Sequence, residues 1–466
     1  MEKQNHLLLD RNIHRTILAL SLPGMASSVL QTFYQLIDAF WIGRLGSEAL
    51  AALGGLSFVL WAVMALAALS SIGITTLVSQ NIGARQPDEV RFSAAQGMLL
   101  NSLTAVIFAG IVFVFQHDLY EIMGFEPAVA DYASQYMNIV VFSLPFVYGF
   151  IGLEAVFRGI GDTTRPMIVL AAALALNSIL DPLLIMGYYG FPEMSIKGAA
   201  LATAVSQALA VVLCLVFLKR KQFIPKISLQ GRINIDFQII RRILSIGSPI
   251  ALGGFSFCII YVFLTNIISR FGTEAIAAIG VCHRIEGVAW FACVGYSAAA
   301  AAMVGQAAGS RDLNFAKKAA WLVNAYGAGT LFFVSVIFYL FPEPLVELFT
   351  SDPAVIKLGS QYLRIIALFE VFLALEVIME GVFSGLGYTI PVVMISVPVT
   401  AMRIPAAWYL AVKLNMGTDG IWWAIAGTTF FKGLLMTMLF ASGFWKNKLT
   451  ALKPDGAGGR FRWKTR

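Results

Sequence analysis

Long apolar stretches, separated by short polar or Gly/Pro-containing connections, account for most of the chain. A helix needs roughly 20 consecutive apolar residues to cross a bilayer. Stretches of about this length lie near 16–40, 49–77, 94–115, 134–157, 167–188, 198–218, 243–268, 276–303, 319–341, 359–382, 390–411 and 421–444. The pattern predicts an all-α membrane protein with twelve transmembrane helices and requires no β-strand.

Four pairs of similar segments show that the chain contains an internal repeat. GRLGSEALAALG begins at residue 43 and SRFGTEAIAAIG at residue 269, an offset of 226 positions. VSQNIGAR with VGQAAGSR, EAVFRGIGDT with EGVFSGLGYT, and Pro23 with Pro249 keep the same offset. Because each half contains an even number of predicted helices, we predict two pseudo-symmetric six-helix lobes of one orientation. Two such lobes around a cleft are the usual construction of a secondary transporter.

The basic residues of the chain indicate its orientation. They are concentrated in residues 219–242 and in the stretch after 445. Cytoplasmic loops of membrane proteins carry an excess of Lys and Arg, so we predict that both termini are cytoplasmic and that the protein lies in the cell inner membrane. The predicted domains are an amino-terminal lobe at 1–218, a cytoplasmic linker at 219–242, a carboxy-terminal lobe at 243–445 and a cytoplasmic tail at 446–466.

The composition excludes several classes of protein. Hydrophobic residues make up 58% and charged residues 13% of the chain, against roughly 45–50% and about 25% in soluble proteins. The net charge of +7 follows from the predicted cytoplasmic segments and does not indicate nucleic acid as a partner. No Walker motif, HExxH pair or GxSxG elbow occurs, and the four cysteines show no metal-binding spacing. We therefore expect neither an enzyme nor a cofactor.

Three polar residues in the first half stand inside predicted helices. Placing a carboxylate in the bilayer core costs at least about 2.5 kcal/mol, so we expect each one to have a structural or functional role. Asn177 and Asp181 are four residues apart and share a helix face, while Pro182 frees the carbonyl of Ser178. This cluster predicts a site for a proton or a small cation such as sodium, and Asp38 of the first helix is separately interpreted as a titratable carboxylate that faces the cleft. The alternatives are that Asp38 reaches water at the outer edge and that the pair joins helices by hydrogen bonds.

A second set of charged residues lies in the second half of the chain. For Arg284 with a Glu partner, a structural ion pair is the favoured interpretation. The other members are His283, Glu286, Glu370, Glu376, Glu380, Arg403 and Lys432.

Several motifs resemble one family, the multidrug and toxic compound extrusion (MATE) transporters. They are FYQLIDAFWIGRLGSEALAALG, VSQNIGAR, FRGIGDTTRP, NSILDPLLIMG and GAALATAVSQ, with RIEGVAWF and VGQAAG in the second half. The resemblance covers nearly the whole chain. It implies a two-lobed antiporter that expels cationic or amphipathic drugs and toxic organic compounds in exchange for protons or sodium. It also implies that the protein lies in a lipid bilayer and that its substrates are small molecules. We expect a monomer.

The resemblance implies roles for individual residues as well. The amino-terminal cation cluster of the family falls on Asp38, Asn177, Asp181 and Thr203, which would also be the site of any sodium ion. Gln31, Tyr34 and Tyr136 are assigned to the substrate cavity, and Pro23 matches the proline at which the first helix bends. The sodium-coupled branch has acidic residues where this chain has Phe257 and Leu373, so the chain is most similar to the DinF-like branch.

Two other functions and the coupling ion stay open at this point. A lipid-linked saccharide flippase of the same superfamily would need a cleft rich in Arg and Lys to bind pyrophosphate. A membrane-embedded enzyme or scaffold would need a catalytic constellation or a docking surface, and no such motif occurs in the sequence. The residues do not distinguish proton coupling from sodium coupling.

Overall fold

The computed structural model describes residues 8–10, 12–220, 223 and 235–446. Most of the predicted linker at 219–242, and the predicted tail beyond residue 446, lie outside the described residues. Every regular element in the described part is helical, as the sequence pattern predicts.

The first half contains α1 (Ile13–Gly43), α2 (Ser47–Gly83), α3 (Pro87–Ile122), α4 (Pro127–Ile160), α5 (Thr164–Ile185) and α6 (Ile196–Arg220). The second half contains α7 (Phe237–Ile268), α8 (Thr273–Ser310), α9 (Leu313–Leu340), α10 (Pro342–Glu347), α11 (Pro353–Ala367), α12 (Glu370–Leu386), α13 (Ile390–Ala401), α14 (Arg403–Trp408) and α15 (Thr418–Ala441). A π-helical turn, Tyr409–Lys413, follows α14 directly. Over all the described residues of both halves, 11 helical segments are long and apolar enough to cross a membrane.

The tenth predicted helix is interrupted. The apolar stretch near 359–382 forms α11, of 15 residues, and α12, of 17 residues, and each is too short to cross a bilayer alone. Leu368 and Phe369 form the break, where the amide of Phe369 donates to the carbonyl of Ile366 at 2.7 Å. The prediction of one helix here was therefore wrong, while the two short helices together account for the twelfth crossing.

The chain divides into two compact units, which we describe separately. The amino-terminal unit consists of Leu22–Asn81 and Gln86–Ala251. The carboxy-terminal unit consists of Met1–Ser21, Ile82–Arg85 and Leu252–Arg466. Two of the divisions inside helices, those in α1 and in α7, fall close to the repeated prolines, Pro23 and Pro249, and a third lies near the end of α2.

In the amino-terminal unit, α6 packs against α4 and α5. The close approach of α5 and α6 depends on Gly198, because a β-carbon added there would lie 2.5 Å from the backbone of Leu184. Small residues of this kind let helix backbones approach within a membrane. Tyr136, Tyr148 and Ala199 belong to the apolar core that these helices share.

In the carboxy-terminal unit, α8 and α12 form the central pair, and α9 and α15 pack against α12. Tyr362 and Trp422 lie in the core, with their ring centroids 5.0 Å apart. The two halves end equivalent helices in the same way. Gly161 after α4 has φ 81° and Gly387 after α12 has φ 70°, a left-handed conformation that favours glycine. The offset between these glycines is again 226 residues.

Candidate cation site

Four helices of the amino-terminal unit bring polar side chains together. Asp38 lies on α1, Tyr136 on α4, Asn177 and Asp181 on α5, and Thr203 on α6. Helical spacing explains the local arrangement, because residues four apart point from one face. The structure brings these side chains together, and we call this group, with Tyr34, the cation site.

Hydrogen bonds within the cation site leave several oxygens free. Thr203 Oγ1 donates to Asp38 Oδ2 at 3.2 Å, and Asn177 Nδ2 donates to Asp181 Oδ1 at 3.3 Å. The second carboxylate oxygen of each aspartate and the amide oxygen of Asn177 are buried and have no hydrogen-bond partner in the described structure. Buried polar atoms are normally satisfied, so these three oxygens are candidates to accept a proton or to bind a cation.

The two carboxylates are buried and have no basic partner. Asp38 is 8% exposed and Asp181 is fully buried, and the two groups are close enough to interact directly. Among the described residues, no Lys, Arg or His forms an ion pair with either of them. Burial argues against the alternative in which Asp38 reaches water at the outer edge. Two buried carboxylates without a basic partner are stable only when they are protonated or when they bind a cation.

The predicted cavity residues differ in their surroundings. Tyr34 is buried beside Asp38 and its hydroxyl has no hydrogen-bond partner, and Tyr136 is buried near the same carboxylate. Gln31 is exposed and precedes Tyr34 by about one helical turn. Pro23 lies within α1, which runs as one helix from Ile13 to Gly43.

The sequence analysis missed two polar residues on α6. Ser206 and Gln207 follow Thr203 by three and four positions, so all three point from one face. Ser206 Oγ and Gln207 Oε1 are buried without a hydrogen-bond partner, and Ser206 lies beside Tyr34. The signal was present in the sequence as a pair of polar residues inside an apolar helix.

The carboxy-terminal unit contains a different polar cluster. Lys432 Nζ lies 2.5 Å from Glu376 Oε1, whereas Arg403, among the described residues, donates to three hydroxyl groups and to no acid. Both carboxylate oxygens of Glu370 are buried without a partner. The predicted ion pair of Arg284 was wrong, because this residue is exposed and pairs with no acid among the described residues.

Neither cluster has the composition of a site for a transition metal. In the described part of the chain, no three His, Cys, Asp or Glu side chains are grouped so that they could hold a metal ion. The oxygens of the cation site instead suit a proton or a monovalent hard cation, which an amide and a hydroxyl can help to bind.

The sequence of this chain matches a known family twice. The family model MatE matches residues 23–183 and, a second time, residues 249–409. The chain belongs to the MATE family. The two matches start 226 residues apart, which confirms the internal repeat. The protein is accordingly a multi-pass membrane transporter and not an enzyme.

Individual MATE relatives align over nearly their full lengths. The chain is 29% identical to the probable multidrug resistance protein NorM of Thermotoga maritima, covering 94% of both chains. It is 26% identical to the probable multidrug resistance protein NorM of Rhizobium meliloti, covering 91% of this chain and 92% of the relative. A crystal structure of MATE in the bent conformation has the same fold, with a TM-score of 0.89 at 23% identity, covering 97% of this chain and 100% of that one. The fold class of two six-helix lobes is thereby confirmed.

Proposed function

We propose that this protein is a secondary antiporter that expels cationic or amphipathic organic compounds in exchange for protons or sodium ions. The observation that carries the proposal is the pair of buried carboxylates, Asp38 and Asp181, which no basic side chain in the described part of the chain neutralises. A site of this kind attracts positive charge and can release it when a competing cation arrives.

Antiport requires that cargo and coupling ion exclude one another. A drug cation and a proton, or a sodium ion, can both neutralise Asp38 and Asp181, but not at the same time. Tyr34 and Tyr136 supply aromatic surface beside the carboxylates, and aromatic faces bind organic cations. The same site thereby favours cargo that combines positive charge with apolar area.

The relatives support the cargo class. Two of them are named probable multidrug resistance proteins, and both align over more than nine-tenths of this chain. We infer the same broad role for this protein, in the cell inner membrane, as a monomer with both termini in the cytoplasm. The mechanism requires no cofactor beyond the coupling ion and no nucleic acid partner.

A lipid-linked saccharide flippase has less support. Pyrophosphate would need free Arg or Lys side chains. Lys432 already forms an ion pair with Glu376 at 2.5 Å, and the carboxylates of the cation site would repel pyrophosphate.

Transport in sealed vesicles tests the proposal. Purified protein is reconstituted, and efflux of a fluorescent organic cation is followed with a pH gradient or a sodium gradient imposed separately. Efflux driven by one of these gradients is the expected result. Efflux that neither gradient stimulates would contradict antiport, and transport of an anionic lipid headgroup instead would favour the flippase.

A further inference from the structure

The repeat offset of 226 residues assigns each member of the cation site a counterpart in the carboxy-terminal unit. Two of the polar residues are retained, because Tyr362 corresponds to Tyr136 and Thr429 corresponds to Thr203. Tyr362 is buried, as its counterpart is. The second unit therefore keeps part of the site's polar surroundings.

Both carboxylates are absent from the second copy. Leu264 stands at the position of Asp38, and Ala407 at the position of Asp181. Both replacements are fully buried apolar side chains. The carboxy-terminal counterpart therefore cannot take up a proton or a cation at these two positions.

Two cationic side chains appear in the same copy. Arg403 stands at the position of Asn177, and Lys432 at the position of Ser206. Arg403 is 3% exposed and Lys432 is 4% exposed, so both charges are buried. The polarity of the site is thus reversed between the two units.

The geometry of Arg403 shows how its charge is held. Its Nε donates to Thr428 Oγ1 at 2.7 Å, its Nη1 to the hydroxyl of Tyr261 at 2.9 Å, and its Nη2 to Thr429 Oγ1 at 3.0 Å. No acid forms an ion pair with it among the described residues. Thr203, the counterpart of Thr429, donates to Asp38, so the retained hydroxyl contacts the charged group in each unit.

Acidic side chains near the two cations balance their charge. Glu376 pairs with Lys432 directly, at 2.5 Å. Glu286 and Glu380 are close enough to act electrostatically on groups of the same cluster, including His283 and Lys432. A buried cation without such compensation would be strongly destabilising.

We propose that Arg403 and Lys432 are built-in cations that permanently fill the carboxy-terminal counterpart of the cation site, so that this counterpart binds no exchangeable coupling cation. A guanidinium is planar, keeps its charge at every physiological pH and cannot leave the chain. The counterpart then keeps the positive charge of Arg403 throughout transport. The inference rests on the proposed exchange of cations at Asp38 and Asp181.

Chemical rescue tests the built-in cation without reference to transport. Purified Arg403→Ala should show a melting temperature several degrees below that of the wild type, because the hydroxyls and acids lose their cation. Millimolar methylguanidinium should restore most of this loss and leave the wild type unchanged. The matched control is Arg364→Ala, which removes an arginine that is exposed and paired with Glu343 at 3.3 Å. A folded Arg403→Ala that methylguanidinium does not stabilise, or equal stabilisation of the control, would overturn the inference.

Counting exchanged cations keeps the inference testable even if Arg403→Ala does not fold. Protons or sodium ions released per bound organic cation are measured for the wild type and for the double variant Asp38→Asn, Asp181→Asn. The double variant should release none. If the double variant binds no drug, direct calorimetric titration with protons or sodium ions replaces the ratio, and ion binding at about half the wild-type stoichiometry would then contradict the inference. Release at about half the wild-type value would overturn this inference but would leave the proposed function intact. Unchanged release would contradict the proposed function itself.

Discussion

Thr203 Oγ1 donates a hydrogen bond of 3.2 Å to Asp38 Oδ2, although the two residues are 165 positions apart in the chain. The bond joins α6 to α1 inside the amino-terminal unit and fixes one oxygen of a buried carboxylate. The other oxygen, Oδ1, has no partner. One side of Asp38 is thus held by the protein while the other is available for a proton or a cation.

Replacing the aspartates tests their role in coupling. Asp38→Asn and Asp181→Asn should each lower gradient-driven efflux by at least about tenfold, because an amide keeps the shape but cannot exchange a proton. Melting curves should show that both variants are folded. Asp118→Asn, an exposed residue, serves as the control and should transport normally. Near-normal efflux by both site variants would refute the assignment.

Removing the hydroxyl of Thr203 should weaken the site moderately. Thr203→Val removes a hydrogen bond that stabilises the ionised form of Asp38, the form that binds a cationic drug, and a hydrogen bond to a charged group is worth about 1.5–3 kcal/mol. We therefore expect organic cations to bind roughly tenfold or more weakly, as measured by fluorescence titration. Thr437→Val provides the comparison, since that hydroxyl bonds only to the carbonyl of Gly433 in its own helix. Equal affinities in the two variants would exclude a role for Thr203.

The bend expected at Pro23 can be separated from binding. Proline removes one hydrogen bond from the helix ladder, so Pro23→Ala should stiffen α1 without touching the carboxylates. Binding of cargo should be kept, while the transport rate should fall several-fold. Pro342→Ala is the matched control, because Pro342 lies at the first turn of α10, where no ladder bond is lost. Full transport by Pro23→Ala would exclude the bend.

The contact between α5 and α6 should be sensitive to side-chain size. Gly198→Ala places a β-carbon 2.5 Å from the backbone of Leu184, and overpacking of this kind costs about 1–3 kcal/mol. The melting temperature should fall accordingly. Gly253→Ala, whose β-carbon would lie 3.7 Å from Val393, should not lower it. If both variants melt alike, the backbones are not as close as described.

Local sequence pattern was sufficient to predict much of the cation site. Asn177 and Asp181 share a helix face by spacing alone, and a charged residue in an apolar helix, such as Asp38, has few structural explanations. The family resemblance added Thr203 and Tyr136. Ser206 was overlooked because a single hydroxyl is common in membrane helices and has meaning only beside the side chains it contacts.

Other features depended on packing between distant segments. The break at Leu368–Phe369 contains neither proline nor glycine, so no local rule predicts it. The pairing of Lys432 with Glu376 rather than of Arg284 with an acid depends on which faces of α8, α12 and α15 meet. Neither α8 nor α15 has an amphipathic stripe that would reveal its contacting face in advance.

The central claim is that cargo and coupling ion compete for the carboxylates of Asp38 and Asp181. Protonation removes the negative charge that binds a cationic drug, so drug affinity should fall as the pH is lowered. If one proton is displaced per drug, the dissociation constant should change by up to about tenfold per pH unit.

Binding titrations of an organic cation across pH, with wild-type protein and Asp38→Asn, measure this competition directly. The account predicts that affinity rises with pH in the wild type and that Asp38→Asn removes most of this dependence. An unchanged pH dependence in Asp38→Asn would contradict competition at this site.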